Sequence, residues 1–219
     1  MTVRVVVVDD NELLRAGLLT VLGSDPEISV VGEARSGPAG VQVALDRQPD
    51  LVLMDVEMPG GDGITATRKI VGEAPHIRVL ILTMFDLDDY VLTALRAGAS
   101  GFLLKTTEPQ ALIQAVKEAA AGNTTLGPTV LARLVDSYVA QRPRQATVPG
   151  LADLTGRELD VLRSMARGLS NAEIAAELFL AETTVKTHVG HVLQKLRLRD
   201  RAQAVVLAYE SGLVRPGSA

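Results

Sequence analysis

The sequence predicts a doubly wound α/β domain on a five-stranded parallel sheet, followed by a small all-α domain of helix-turn-helix proportions. Three observations carry that expectation. Short aliphatic runs recur through the first half with no polar alternation, the pattern of parallel strands buried on both faces. Helix-length stretches separate these runs, and five β/α repeats imply right-handed crossovers. Beyond residue 150 the apolar runs stop and every signal is helical.

The strands are expected at 3–8, 28–31, 51–54, 79–82 and 102–104. The helices that follow them are expected at 12–22, 38–47, 64–71, 88–97 and 109–121. A short helix is admissible at 129–140. The stretch QRPRQATVPG at 141–150 carries two Pro, one Gly and no apolar period, so it reads as a linker. Further on, Thr155-x-x-Glu158 and Ser170-x-x-Glu173 fit capping boxes, in which hydroxyl and carboxylate satisfy the first free N–H groups of a helix. Helices are expected at 156–167, 171–178, 183–196 and 201–211. The domain division is therefore 1–122, a linker at 123–150, and 151–219.

Composition narrows the function classes. Hydrophobic residues make up 47% of the 219 and aromatics 3%, so the chain folds around aliphatic cores rather than staying disordered. It has no Cys, which excludes disulfides and thiolate chemistry. The first strand begins at Val3 with no charged leader, and no apolar run approaches the roughly 20 residues that span a bilayer. A cytoplasmic protein with no membrane partner is expected. The net charge of −4 is unevenly spread: −7 over 1–122, +2 over 123–150 and +1 over 151–219. The back half is the better candidate for nucleic acid.

Asp9 and Asp10 follow the first expected strand, Asp55 and Thr83 end the third and fourth, and Lys105 follows the fifth. A doubly wound sheet brings those positions to one rim. Any one Asp at a strand end is ordinarily a helix cap or a solvated loop residue; the set on successive strand ends is far more specific. Three converging carboxylates call for a cation, and hard oxygen donors suit Mg²⁺. Such a cation, with Lys105 and the Thr83 hydroxyl, would steady a phosphoryl group on Asp55, since a carboxylate can attack phosphorus to form an acyl phosphate.

The segments VVVVDD, LMDVEMPGGDG, ILTMF and GFLLK resemble a response-regulator receiver domain over about 3–122. The resemblance implies a flavodoxin-like fold with Asp55 as phosphoacceptor. It implies Asp10 and Asp55 as direct Mg²⁺ ligands, Asp9 as a water-mediated one, and the Glu57 backbone carbonyl as a further ligand. Thr83 and Lys105 would contact the phosphoryl group, and Phe102 matches the switch aromatic. Met58, Pro59 and the glycines at 60–63 form the loop after Asp55. Glu57 and Phe85 flank the path of hydrolytic water in similar receivers. Phe85 either shields the acyl phosphate or packs on the fourth helix.

In the expected helix 183–196, Val185, Val189, Val192, Leu193 and Leu196 fall on one stripe. Thr183, Thr187, Gly190 and Gln194 face away, with Lys186 and His188 on the flanks. A small, polar outer face suits a major groove, although an ordinary solvated helix has the same spacing. Lys195, Arg197, Arg199 and Arg201 follow as candidate phosphate contacts. LTGRELDVL, GLSNAEIAAEL and TTVKTHVGHVLQKL resemble the LuxR-type helix-turn-helix of NarL/FixJ regulators over about 151–214. That resemblance implies double-stranded DNA as partner and places Lys186, Thr187 and Gly190 where the family meets it. Ala181 stands where the family commonly has a Ser cap. The last helix, with Ala202, Val205, Val206 and Tyr209, is expected both to pack on the recognition helix and to supply a homodimer contact.

The expected function is a two-component response regulator, not an enzyme. A sensor histidine kinase or small acyl phosphate would phosphorylate Asp55, and Thr83 and Phe102 would shift to alter dimerisation and DNA binding. Two other classes compete: a metal-dependent phosphatase that turns over through Asp55, and a DNA-binding protein whose first domain senses a ligand without phosphorylation. No second acid/base or substrate pocket favours the former, and the full acidic set argues against the latter.

Overall fold

A computed structural model describes residues 2–58, 63–84, 88–122, 125, 126 and 150–214. Pro59, the glycines before Gly63, Phe85 and the segment 129–140 lie outside the described residues. The chain divides into two compact units, Met1–Thr125 and Leu126–Ala219.

The first unit alternates β1 (Val3–Val8), α1 (Glu12–Gly23), β2 (Ile28–Ala34), α2 (Gly37–Arg47), β3 (Leu51–Asp55), α3 (Gly63–Glu73), β4 (Arg78–Thr83), α4 (Asp88–Arg96), β5 (Gly101–Leu104) and α5 (Pro109–Ala120). The strand order is β2-β1-β3-β4-β5, and all four pairings are parallel. This is the doubly wound, flavodoxin-like arrangement, whose order reverses between β1 and β3. Val5–Val8 and every residue of β3 are buried, as a strand with helices on both faces requires. Leu18 and Leu22 of α1 and Leu112, Val116 and Ala119 of α5 join Val5, Val7, Leu51, Leu53 and Leu80 in one core cluster.

Two elements depart from expectation. β2 runs on through Gly32–Ala34, past its aliphatic run, because the register shift opposite Val5/Val6 lets those residues keep pairing with β1. A sixth strand, β6 (Thr125–Leu126), borders β5; two residues carry no periodicity to reveal it.

From residue 150 the described part of the second unit comprises a 3₁₀ turn at Leu151–Asp153, α6 (Gly156–Ala166), α7 (Asn171–Leu178), α8 (Glu182–Lys195) and α9 (Arg201–Glu210). Both capping boxes are formed. The Thr155 N–H donates to Glu158 Oε2 at 2.8 Å while the Glu158 N–H donates to Thr155 Oγ1 at 3.3 Å. Ser170 and Glu173 repeat the exchange at 2.7 and 3.3 Å. At Phe179 the chain turns with a φ of 55° to separate α7 from α8. Ala181, which has no hydroxyl to offer, provides no side-chain cap to α8.

Ala202, Val205, Val206 and Tyr209 are 0–5% exposed. They line the inner face of α9, and the Tyr209 hydroxyl donates to the Ala166 carbonyl at 3.1 Å. The helix packs on α6 and also on α8. Arg201, Gln203, Leu207 and Glu210 are its partly exposed residues.

Candidate functional site

The C-terminal ends of β1, β3, β4 and β5 converge where the strand order reverses. Asp9 leaves β1 with its N–H donating to the Ala34 carbonyl at 3.1 Å, and its Oδ1 accepts from the Asn11 N–H at 2.9 Å. Asp55 closes β3, with only 4% of its surface exposed. Asp10 faces solvent. Each of the three carboxylates has an oxygen within 4.8 Å of the others.

Lys105 reaches this cluster from the end of β5. Its Nζ is 2.7 Å from Asp9 Oδ2 and 2.9 Å from Asp55 Oδ2. Its backbone N–H donates to the Thr83 carbonyl at 2.8 Å, which fixes the root of the side chain. Burial pushes the Asp55 carboxyl above its usual range, against the pull of Lys105. Burial alone would lower the Lys105 ammonium, but its bonds to Asp9 and Asp55 prevail and raise it. One ammonium faces three carboxylates, and the all-oxygen donor set fits a hard divalent cation such as Mg²⁺.

The sequence reading thus names residues that folding gathers: Asp9, Asp10, Asp55 and Lys105 meet directly. Thr83 is buried at the end of β4, and Phe102 is buried on β5 opposite Ile81, two residues before Thr83 along β4. Glu57 is exposed just beyond β3, and its N–H approaches Asp55 Oδ1 at 3.4 Å.

Arg15 also reaches this site, although no sequence motif marks it. This α1 residue is 3% exposed. Its Nε donates to Glu33 Oε2 at 2.8 Å, and its Nη1 donates to the Asp9 carbonyl at 2.8 Å. A signal was available: Arg15 precedes Leu18 and Leu22 by three and seven residues, which puts a cation on the buried stripe of α1.

On α8, Thr183, Lys186, Thr187, Gly190 and Gln194 are exposed and His188 is partly buried, while Val185 and Val192 enter the core. Lys186 pairs with Glu182 one turn earlier at 3.0 Å; such a solvent-exposed pair is weak and easily exchanged for a phosphate. Two of the basic residues expected to reach phosphates bond within their own domain. Lys195 Nζ donates to Glu158 Oε2 at 2.7 Å and approaches the Asp153 carbonyl at 3.2 Å, because Glu158 is buried and needs a cation beside it. Arg201 bonds Asn171 Oδ1 at 3.1 Å and the Leu169 carbonyl, and burial pushes its guanidinium down to about 10.

Among the described residues, no helix is long and apolar enough to cross a membrane. Residues 5–117 match the family model described as the response regulator receiver domain. Residues 152–208 match the one described as bacterial regulatory proteins, luxR family. The chain is 42% identical over 214 residues to the uncharacterized transcriptional regulatory protein YxjL of Bacillus subtilis, covering 97% of this chain and 98% of that one. It is 40% identical over 216 residues to the transcriptional regulatory protein LiaR of the same organism, covering 97% and 99%. Among solved structures it resembles the response regulator ChrA of a heme-sensing two-component system. That match has 39% identity, a TM-score of 0.54, and coverage of 97% of this chain and 99% of that one.

Proposed function

Because the chain belongs to the LuxR-type two-component response regulators, we propose that phosphorylation of Asp55 controls its dimerisation and its sequence-specific binding to double-stranded DNA. The observation that carries this reading is the placement of Asp55: at the end of a central strand, 2.9 Å from the Lys105 ammonium and within 4.8 Å of Asp9 and Asp10. In this assignment residues 1–122 are the receiver, 123–150 the linker and 151–219 the DNA-binding domain.

Asp9, Asp10, Asp55 and the Glu57 carbonyl would hold Mg²⁺. When bound, that ion neutralises the carboxylates and supplies positive charge to the phosphoryl oxygens. Asp55 attacks the phosphorus of a kinase phosphohistidine or a small acyl phosphate. The bond to the donor breaks, and an acyl phosphate forms on Asp55. Lys105, already 2.9 Å from the nucleophile, follows the new negative charge. The Thr83 hydroxyl donates to a phosphoryl oxygen, and Phe102, which faces Ile81 across β4 and β5 two residues before Thr83, moves with it. That shift biases the receiver surface between two states. On α8, Thr183, Lys186, Thr187, His188, Gly190, Gln194 and Lys195 meet the duplex.

The test measures DNA affinity with and without acetyl phosphate and Mg²⁺, for wild type and Asp55→Asn. Wild type is expected to bind more tightly after treatment, and Asp55→Asn to respond to neither reagent. Equal responses from both proteins would refute the mechanism.

Gly190 offers a second prediction. A Cβ there would meet nothing within 4 Å, so folding does not demand glycine. Gly190→Ala is expected to stabilise the helical domain by about 0.5–1 kcal/mol while weakening DNA binding, because the duplex approaches the bare backbone. Unfolding and titration measurements on the same protein separate the two effects; unaltered DNA affinity would remove Gly190 from the interface.

A further inference from the structure

The Asp9–Asp10 turn is held by more than its own hydrogen bonds. Asp9 receives its N–H partner from β2 and its Oδ2 partner from Lys105. The remaining polar group of its backbone, the carbonyl, accepts from Arg15 at 2.8 Å. That carbonyl belongs to the Asp9–Asp10 peptide, so its orientation fixes the plane from which the Asp10 side chain departs. Arg15 is itself aimed by Glu33, whose carboxylate takes the Nε–H at 2.8 Å. The Arg15 side chain is 4% exposed and that of Glu33 54%. A buried guanidinium with one half-exposed carboxylate partner is a costly arrangement for stability alone. It supplies a rigid link from α1 to the peptide between two acidic residues.

We propose that Arg15, aimed by Glu33, is a positioning residue that preorganises the Asp9–Asp10 turn for the divalent cation. The inference rests on the reading of this pocket as a Mg²⁺-dependent phosphoacceptor site. Arg15 touches none of the reacting atoms; it acts through the peptide it holds. A fork is required rather than a point charge, because two donors on one planar group must reach different acceptors. Groups that orient a ligand in this way ordinarily contribute 10–100-fold in metal affinity.

The experiment is calorimetric titration of the full chain with MgCl₂, for wild type, Arg15→Met, Arg15→Lys and Glu33→Ala, together with their melting temperatures and rates of labelling by acetyl phosphate. Arg15→Met is expected to weaken Mg²⁺ binding at least tenfold. Arg15→Lys should fail to restore it, and Glu33→Ala should weaken it less, in the same direction. Labelling of the Arg15 variants should recover as MgCl₂ is raised, the signature of a weakened ion site rather than a lost nucleophile. A purely structural Arg15 would lower the melting temperature and leave the dissociation constant unchanged well below it; that result overturns the proposal. Should Arg15→Met fail to fold, Glu33→Ala decides alone, and an unchanged dissociation constant there is equally fatal. A wild-type chain that neither binds Mg²⁺ nor takes up phosphoryl would instead sink the pocket reading itself, which keeps the two failures distinct.

Discussion

Gly63→Ala is expected to destabilise the receiver by about 3 kcal/mol and to slow phosphorylation of Asp55 by about 100-fold. Gly63 opens α3 and is buried. Its N–H donates to the Val56 carbonyl at 2.9 Å. A Cβ at this position would lie 1.8 Å from the Asp55 carbonyl oxygen, 2.9 Å from its carbon and 3.0 Å from Met54 Cγ. The first two atoms are backbone of a central strand paired on both sides, so no rotamer change relieves the clash. Either α3 starts late or the end of β3 moves, and both displace Asp55, the proposed phosphoacceptor. Gly17→Ala and Gly72→Ala are the controls. Both lie in helices, and an added Cβ meets nothing within 4 Å at either, so each should stabilise by about 0.5–1 kcal/mol. Urea unfolding and acetyl phosphate labelling of the three variants read both effects. A Gly63→Ala protein as stable and as readily labelled as wild type would show that the loop has room.

The contrast between these glycines marks the limit of sequence reading. GGDG after Asp55 announces a tight turn, yet nothing in the string tells Gly63, pressed on a carbonyl, from Gly17, open to solvent. The acidic pocket was legible for a topological reason: residues at successive strand ends of a doubly wound sheet have one place to go. Asp9, Asp10, Asp55 and Lys105 therefore meet as the strand pattern implied. The solvent-facing stripe of α8 was legible from its 3.6 period. Charges were harder. Arg15, Lys195 and Arg201 look like any surface cations in the sequence, and their partners Glu33, Glu158 and Asn171 lie 18, 37 and 30 residues away. Ala202, Val205, Val206 and Tyr209 define an apolar face, and periodicity does not say whether a face meets its own domain or a second copy.

Glu158→Ala is expected to destabilise the helical domain by about 3 kcal/mol, and acid should do part of the same work in the wild type. Glu158 is 3% exposed. It closes the capping box of α6, accepts from Lys195 at 2.7 Å, and has His191 Nδ1 at 3.7 Å. One carboxylate thereby joins the start of α6 to the last turn of α8, the helix assigned to the duplex. The Lys195 ammonium and the Thr155 N–H hold its carboxyl down to about 2, against 4.5 ordinarily. A depressed carboxyl binds its proton more readily when unfolded. Its stabilisation is therefore complete above about pH 4.5 and is lost as the pH falls through 2, roughly 2–3 kcal/mol in all. Other carboxylates titrate over the same range, so the informative quantity is the difference between wild type and Glu158→Gln. Wild type should lose its advantage between pH 5 and pH 2, with hydrogen-exchange protection of α6 and α8 falling together. Lys195→Met should remove most of the same pH dependence, because the two changes delete one pair and are not additive. Stability curves for wild type and Glu158→Gln that run parallel through this range would mean that α8 is held by its apolar face alone, through Val185, Val192 and Leu196.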